Sequence, residues 1–465
     1  VVFNGEIFNY PELRTDLVAR GHRFYTRSDT EVLVHLYEEK GEAFVNELNG
    51  QFAIALWDEP RRKLLLVRDR PGIHPLFYHL QEDRLFFASE VKAILPVLGA
   101  APRLNRRALH QIMTFWSPIS PESIFEGILE VSPGELVRVC DGSVTKSKYW
   151  NLSYPEDGNY TPEPEGELAE RLHALLIDAT QIRLRSDVPV GAYLSGGLDS
   201  SILTALIHHH GGVPLRTFSI GFEDQSLDES DFQKRLIAHL QANHSAIRCR
   251  YSDIGEEFLN TVWHTESPVL RTAPVPMRLL SSLVHEQSYK VVLTGEGSDE
   301  FLGGYDIFKE AKIRHFWARQ PESRLRPLLL MRLYPYLQVS PTRAQSYLKI
   351  FFGQALDRPG LPYFSHIPRW VTTAKCKELF SDGMKEVDDA DPVETLLATL
   401  PPTFSSWHPF NRAQYLESSS LLPGYLLCSQ GDRMLMANSV EGRFPYLDHR
   451  VIELANSLHP NLKMK

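Results

Sequence analysis

An apolar run at residues 188–194 breaks into Ser195-Gly196-Gly197-Leu198-Asp199-Ser200-Ser201, and helical spacing takes over to about residue 209. Strand, glycine turn and helix form a unit that must fold its helix back onto a sheet. The rhythm continues downstream. Residues 217–222 read as a strand, 228–242 as a helix, 246–249 as a short strand and 291–294 as another. Upstream, Leu168, Leu172, Leu175, Leu176, Ala179 and Ile182 recur at helical spacing. Strands that alternate with helices predict a doubly wound parallel sheet, with ligands at the carboxyl ends of its strands. Beyond about residue 305 the chain reads as mainly helical, with loops around Pro321, Pro359 and Pro401.

The heptad carries its own chemistry. Gly196 and Gly197 let the backbone turn and approach a phosphate with no Cβ in the way. Ser195, Ser200 and Ser201 offer hydroxyls, and the start of the following helix favours an anion. A carboxylate repels phosphate, so Asp199 makes sense only with a Mg²⁺ ion between the two. A bare Ser-Gly-Gly is a common strand-to-helix turn; the whole heptad between strand and helix is much less so. It lacks the lysine of a Walker loop.

A second acidic cluster follows the 291–294 run: Thr294-Gly295-Glu296-Gly297-Ser298-Asp299-Glu300, then Phe301-Leu302-Gly303-Gly304-Tyr305. A parallel sheet would set it beside the first loop. Asp199 and Asp299 then become the metal ligands, and Glu296 is free to act as a general base. Alone, the segment could be a solvated polar loop.

The first 150 residues have a different texture. Short apolar runs at 52–57, 64–67 and 85–88 are separated by turn residues, with helices expected over 11–20 and 30–40. This predicts an α+β or sandwich-like domain. Residues 154–166 bear Pro155, Pro162 and Pro164 and read as a linker. The expected domains are therefore 1–153 and 167–465. Such a length calls for two or three cores. The net charge of −9 argues against nucleic acid as the main partner. Cys140, Cys249, Cys376 and Cys428 fit no metal or disulfide spacing, which predicts a reducing, cytoplasmic setting. No membrane span is expected; the most apolar stretch, 327–339, is broken by Arg332 and Pro335.

The heptad resembles the signature of enzymes that split ATP into AMP and pyrophosphate. Residues 293–305 resemble the matching segment of glutamine-hydrolysing asparagine synthetases. That resemblance implies a β-aspartyl-AMP intermediate handled by Glu296. It also implies that Leu194, Ile220 and the Thr294-Gly295 backbone hold the adenosine of ATP. Arg271-Thr272-Ala273-Pro274 resembles the family's aspartate-binding segment, although a surface arginine is an equally natural reading of Arg271. Residues 440–448, Val-Glu-Gly-Arg-Phe-Pro-Tyr-Leu-Asp, resemble a further segment, expected to line the site or pack beneath it.

Near the start, Asn4-Gly5-Glu6 and Asp29 resemble the glutamine pocket of class II, N-terminal-nucleophile glutaminases. Asn4 would stabilise an oxyanion, while Glu6 and Asp29 would hold the α-ammonium of glutamine. Arg68-Asp69-Arg70-Pro71-Gly72-Ile73-His74-Pro75-Leu76 and Ala88-Ser89-Glu90 match two more segments of that domain. Such glutaminases use an N-terminal cysteine, which this sequence does not carry. The family comparison predicts a fragment, short of roughly sixty to eighty residues at the start, and of a pyrophosphate-binding lysine after Lys465.

The resemblance implies an αββα-type glutaminase domain without its first strands, followed by an ATP-pyrophosphatase domain. The substrates would be aspartate, glutamine and ATP with Mg²⁺, in a protein that could be a homodimer. Two alternatives stay open: an amidotransferase or cyclase with another carboxylate acceptor, and an inactive binding module.

Overall fold

The computed structural model describes residues 1–99, 101–226, 228–335, 346–385 and 391–464. The end of the apolar stretch 327–339 lies outside them.

Eight strands build the first third: β1 (Val2–Ile7), β2 (Gly50–Asp58), β3 (Lys63–Arg68), β4 (Phe77–Gln81), β5 (Arg84–Ala88), β6 (Ile128–Glu130), β7 (Glu135–Cys140) and β8 (Ser143–Lys148). They form two antiparallel sheets, ordered β1-β2-β3-β7-β8 and β5-β4-β6. The period of two is plain in β2. Phe52, Ile54 and Leu56 face one core, and Ala53 and Ala55 face another. The first core is closed by α1 (Tyr10–Ala19) and α2 (Asp29–Lys40), through Leu17, Val32, Leu33 and Leu36. The second lies between the two sheets, where Leu66 and Val137 meet Leu76 and Tyr78. Helix α3 (Arg106–Phe115) follows β5 in the chain.

Helix α4 (Glu165–Arg183) opens the second part, with the expected apolar face. The parallel sheet consists of β9 (Val190–Tyr193), β10 (Arg216–Phe222), β11 (Asn243–Cys249), β12 (Val291–Leu293) and β13 (Glu441–Arg443), in the order β11-β10-β9-β12-β13. Between them run α5 (Leu198–His210), α6 (Ser230–Leu240), α7 (Tyr251–Thr265) and α8 (Pro274–Glu286). Ala192 and Leu293 pack under α4 and α5, whereas Tyr193 and Val292 pack against α8. Helices therefore cover both faces, as expected. The order reverses at β9: the chain proceeds outward through β10 and β11, then returns to place β12 on the other side. The crevice between β9 and β12 is the switch point at which such sheets bind ligands.

Residues 154–166 are not a free tether. Tyr154 is buried with its ring 5.1 Å from that of Trp407, and Asp157 N donates to Ser406 O at 2.9 Å. The stretch is strapped to the helical region. The halves also meet directly. Gln51 Nε2 donates to Gly442 O at 2.7 Å and Asn49 Nδ2 to Asp448 Oδ2 at 3.0 Å. All four cysteines are unpaired. No helix among the described residues is long and apolar enough to cross a membrane.

Candidate active site

The heptad leaves β9 where the sequence places it. Gly196 has φ +94°, and a Cβ there would press on Glu229 O at 3.1 Å, so the turn needs glycine. Gly197 is the N-cap of α5 and offers no side chain to its first turn, which leaves those N–H groups for a ligand. The hydroxyls also bond within the loop. Ser195 Oγ and Ser200 Oγ share a hydrogen bond at 2.9 Å, Gly197 N donates to Ser195 Oγ at 3.1 Å, and Ser201 Oγ donates to Gly197 O at 2.7 Å. They hold the shape of the loop.

The second loop leaves β12 alongside. Gly295 lies against Ser200, where an added Cβ would sit 3.3 Å from its amide nitrogen. Gly297 has φ +96° and a Cβ there would overlap Leu447. After it, α9 (Ser298–Leu302) begins, and then α10 (Asp306–Ala318). Ser298 Oγ donates to Asp199 Oδ1 at 2.7 Å, and Tyr446 OH donates to Asp199 O at 3.1 Å.

The two loops enclose a cavity of about 220 Å³. Leu194, Ser195, Gly197, Asp199 and Ser200 line one side, and Thr294, Gly295, Glu296 and Asp299 the other, with Ile220 at the edge. Gly196 and Ser201 shape the loop without lining the cavity. Arg271 is not in its lining either. That side chain is exposed, with its guanidinium carbon 5.1 Å from the centre of the Trp116 ring.

The electrostatics are those of crowded carboxylates. Burial, then the charges of Asp299 and Asp199, push Glu296 up to about 7. Burial, then Asp199 and Asp306, push Asp299 up to about 6. Sequence reasoning gave no role to Glu300, which is almost fully buried and pushed up to about 8 by burial and by Glu296. Tyr305 OH donates to it at 2.8 Å. Nothing in the periodicity marks Glu300; its burial in α9, in the lining of the same cavity, shows only once the fold is known. The Asp199 charge adds to burial in raising Glu296 and Asp299, a repulsion that a hard divalent cation would relieve, so Asp199 and Asp299 fit Mg²⁺.

Of the glutaminase-like residues, Asn4, Gly5 and Glu6 sit on β1 and Asp29 starts α2. A Cβ on Gly5 (φ +140°) would overlap Gln51 O, so this register requires glycine. Asn4 Nδ2 donates to Ser89 Oγ at 3.2 Å. Glu6 Oε2 lies 3.3 Å from Arg443 Nη2; burial nevertheless pushes Glu6 up to about 7, against the pull of Arg443 and with the push of Asp29. Asp29 Oδ2 accepts from Ile7 N at 3.0 Å. Asn4, Gly5 and Glu6 line a cavity of about 670 Å³ whose opposite wall includes Asp187, Glu441 and Arg443; Asp29 stands behind it. The Arg68-Asp69 segment is architectural. Arg68 donates to the carbonyls of Gly72, His74 and Val131, and Asp69 accepts from the backbone amides of Phe52, Gly72, Ile73 and His74.

The sequence is similar to those of known proteins. The asparagine synthase family profile matches residues 171–465, and the glutamine amidotransferase domain profile matches residues 1–150. The amidase chyE of Penicillium rubens is 31% identical over all of this chain, which covers 71% of that protein. Asparagine synthetase [glutamine-hydrolyzing] 1 of Bacillus subtilis gives the same identity and the same coverage of each chain. Asparagine synthetase [glutamine-hydrolyzing] 3 of that organism is also 31% identical, with 70% of its length covered. With a two-loop site at the switch point and a family match over most of its length, this chain belongs to the asparagine synthase family.

Proposed function

We propose that this chain carries out the amide-forming half of a glutamine-dependent ligase. Aspartate is activated by ATP as an acyl-adenylate, pyrophosphate leaves, and ammonia derived from glutamine attacks the acyl carbon, releasing AMP and giving asparagine. The observation that carries the reading is the hydrogen bond from Ser298 to Asp199, which joins the two acidic loops over one cavity. Leu194, Ile220 and the Thr294-Gly295 backbone border the place for adenosine. The start of α5 takes the phosphates. Asp199 and Asp299 would hold Mg²⁺, which neutralises charge on the departing pyrophosphate. Glu296, with its affinity for a proton near neutrality, accepts the proton that the attacking nitrogen must lose. In the first domain Glu6 and Asp29 hold the ammonium of glutamine, and Asn4 and Gly5 stabilise the oxyanion at its side-chain carbonyl.

The acceptor is tested by pyrophosphate release with L-aspartate against a panel of other carboxylates. Release that depends on aspartate supports the reading; release only with another acid replaces it. A second reading, a different carboxylate acceptor, draws on two observations. Arg271 lies outside the cavity lining, and an amidase matches this chain as well as an asparagine synthetase does. Small-molecule substrates, a cytoplasmic setting and a homodimer complete the proposal.

A further inference from the structure

Away from both cavities, on the outer face of the first domain, two histidines and a glutamate converge. His22 follows α1, while His35 and Glu38 lie three residues apart on one face of α2. His22 Nδ1 and His35 Nδ1 are 3.0 Å apart, His35 Nδ1 and Glu38 Oε2 are 3.1 Å apart, and His22 Nδ1 and Glu38 Oε2 are 3.5 Å apart. A tetrahedral ion with bonds of ~2.0–2.1 Å holds its ligand atoms roughly 3.3–3.4 Å apart. The three atoms already form a triangle of nearly that size. Both imidazoles are largely buried, at 15% exposure each, while Glu38 faces solvent.

The outer nitrogens make the case stronger. His22 Nε2 lies 2.9 Å from Glu39 Oε1, and His35 Nε2 faces Glu31 Oε1 at 3.7 Å. A carboxylate beside Nε2 favours the tautomer that carries its proton there. Both Nδ1 atoms then turn lone pairs toward one another and toward the Glu38 oxygen. Three acceptor atoms this close need a cation between them, either a proton shared by the rings or a metal ion. Arg20 is the nearby competing charge, with Nη1 3.6 Å from Glu39 Oε2, but it meets the outer carboxylate and not the triangle. Packing of the Phe24 ring 4.5 Å from that of His35 restricts the imidazole.

We propose that His22, His35 and Glu38 bind one divalent transition-metal ion of the zinc type, with Glu39 and Glu31 as outer partners and water in the fourth position. Two imidazoles and a carboxylate suit such an ion better than Mg²⁺ or Ca²⁺, which prefer oxygen throughout. The ion would close the loop between α1 and α2. Glu31 already accepts from the amides of Tyr25 and Thr26 in that loop, which leads into Asp29 at the start of α2.

The test uses the full chain, stripped with chelator and titrated with Co²⁺, then Zn²⁺. One equivalent of Co²⁺ should give the visible bands of a tetrahedral site, and Zn²⁺ should bleach them. His22→Gln with His35→Gln should abolish the bands. Glu38→Gln, at an exposed position that the fold does not need, should shift them. Glu39→Gln should weaken the affinity about 10-fold. Replacing His208, His209 and His210 by Gln removes the other histidine cluster and should leave the bands intact. The proposal is overturned if the wild-type chain takes up no Co²⁺, if Glu38→Gln leaves the spectrum unchanged, or if the bands follow the 208–210 run.

Discussion

Ser298 reaches across from α9 and donates to the carboxylate of Asp199 at 2.7 Å, so the loops that end β9 and β12 share one polar junction. The Asp199 charge is also one of those that raise Glu296 and Asp299. The pair therefore organises both the geometry and the electrostatics of the cavity.

Asp199→Asn keeps the shape and removes the charge. ATP-dependent pyrophosphate release should fall by about 100-fold or more, the scale seen when one preorganised polar group is lost from a reacting centre. The thermal midpoint should stay level or rise, because a like-charge repulsion is relieved. Parallel release and melting measurements check both. Absence of release from both proteins would favour an inactive binding module, and equal release from both would remove Asp199 from the chemistry.

Glu296 contributes to stability in a defined pH window. Its folded pKa of about 7 lies above the ordinary 4.5, so the protonated form favours the folded state. This contribution is complete below about pH 4.5 and is lost as pH rises through about 7. Without divalent cations, the wild type should lose on the order of 2 kcal/mol relative to Glu296→Gln between pH 5 and pH 8. Added Mg²⁺ should shrink the difference. Melts of the two proteins over that range provide the measurement.

Two glycines should separate activity from folding. A Cβ on Gly304 would overlap Asp299 Oδ1 at an exposed backbone position. Gly304→Ala should displace that carboxylate and cut pyrophosphate release by at least about 10-fold with little change in melting. Gly297 combines positive φ with overlap on buried Leu447. Gly297→Ala should cost ~1–3 kcal/mol of stability as well. Circular-dichroism melts beside activity assays distinguish them.

Asp448 is fully buried and accepts from Arg183 at 2.9 Å, from Arg450 at 2.9 Å and from Asn49 of the first domain at 3.0 Å. These partners hold its carboxyl well below the usual range despite burial. Asp448→Ala would strand the buried Arg183 guanidinium. A loss of about 3–5 kcal/mol is expected, read by denaturant unfolding, with earlier proteolysis between the halves.

The sheet was legible wherever burial leaves an apolar run. Residues 188–194, 217–222 and 291–294 announce β9, β10 and β12, and the glycines announce the turns between them. β13 was not, because Glu441-Gly442-Arg443 has no apolar pattern; it is a strand only because β12 pairs with it. The π-helical turn Glu417–Asp432, with Pro423 inside it, breaks the helical period for the same kind of reason: neighbouring elements compensate for what the local sequence disfavours. Residues 154–166 look like a tether by composition, yet Tyr154 and its partner Trp407 are far apart in sequence. Arg271 shows the limit for sites. A motif can name a residue without fixing where its side chain lies.

Arg443 closes β13: Nη1 donates to the carbonyls of Arg183 and Arg185, Nε donates to Glu441 Oε1 at 2.6 Å, and Nη2 faces Glu6 across the domain boundary. In the proposed reading, a glutamine ammonium and this guanidinium compete for one carboxylate. A strand that flanks the ATP-side sheet thereby feels whether the amide donor is present. By thermodynamic reciprocity, if nucleotide binding changes the affinity for glutamine through this pair, glutamine must change the affinity for nucleotide by the same factor. In that reading the shared counter-ion, Glu6, is the point at which the two half-reactions would be joined.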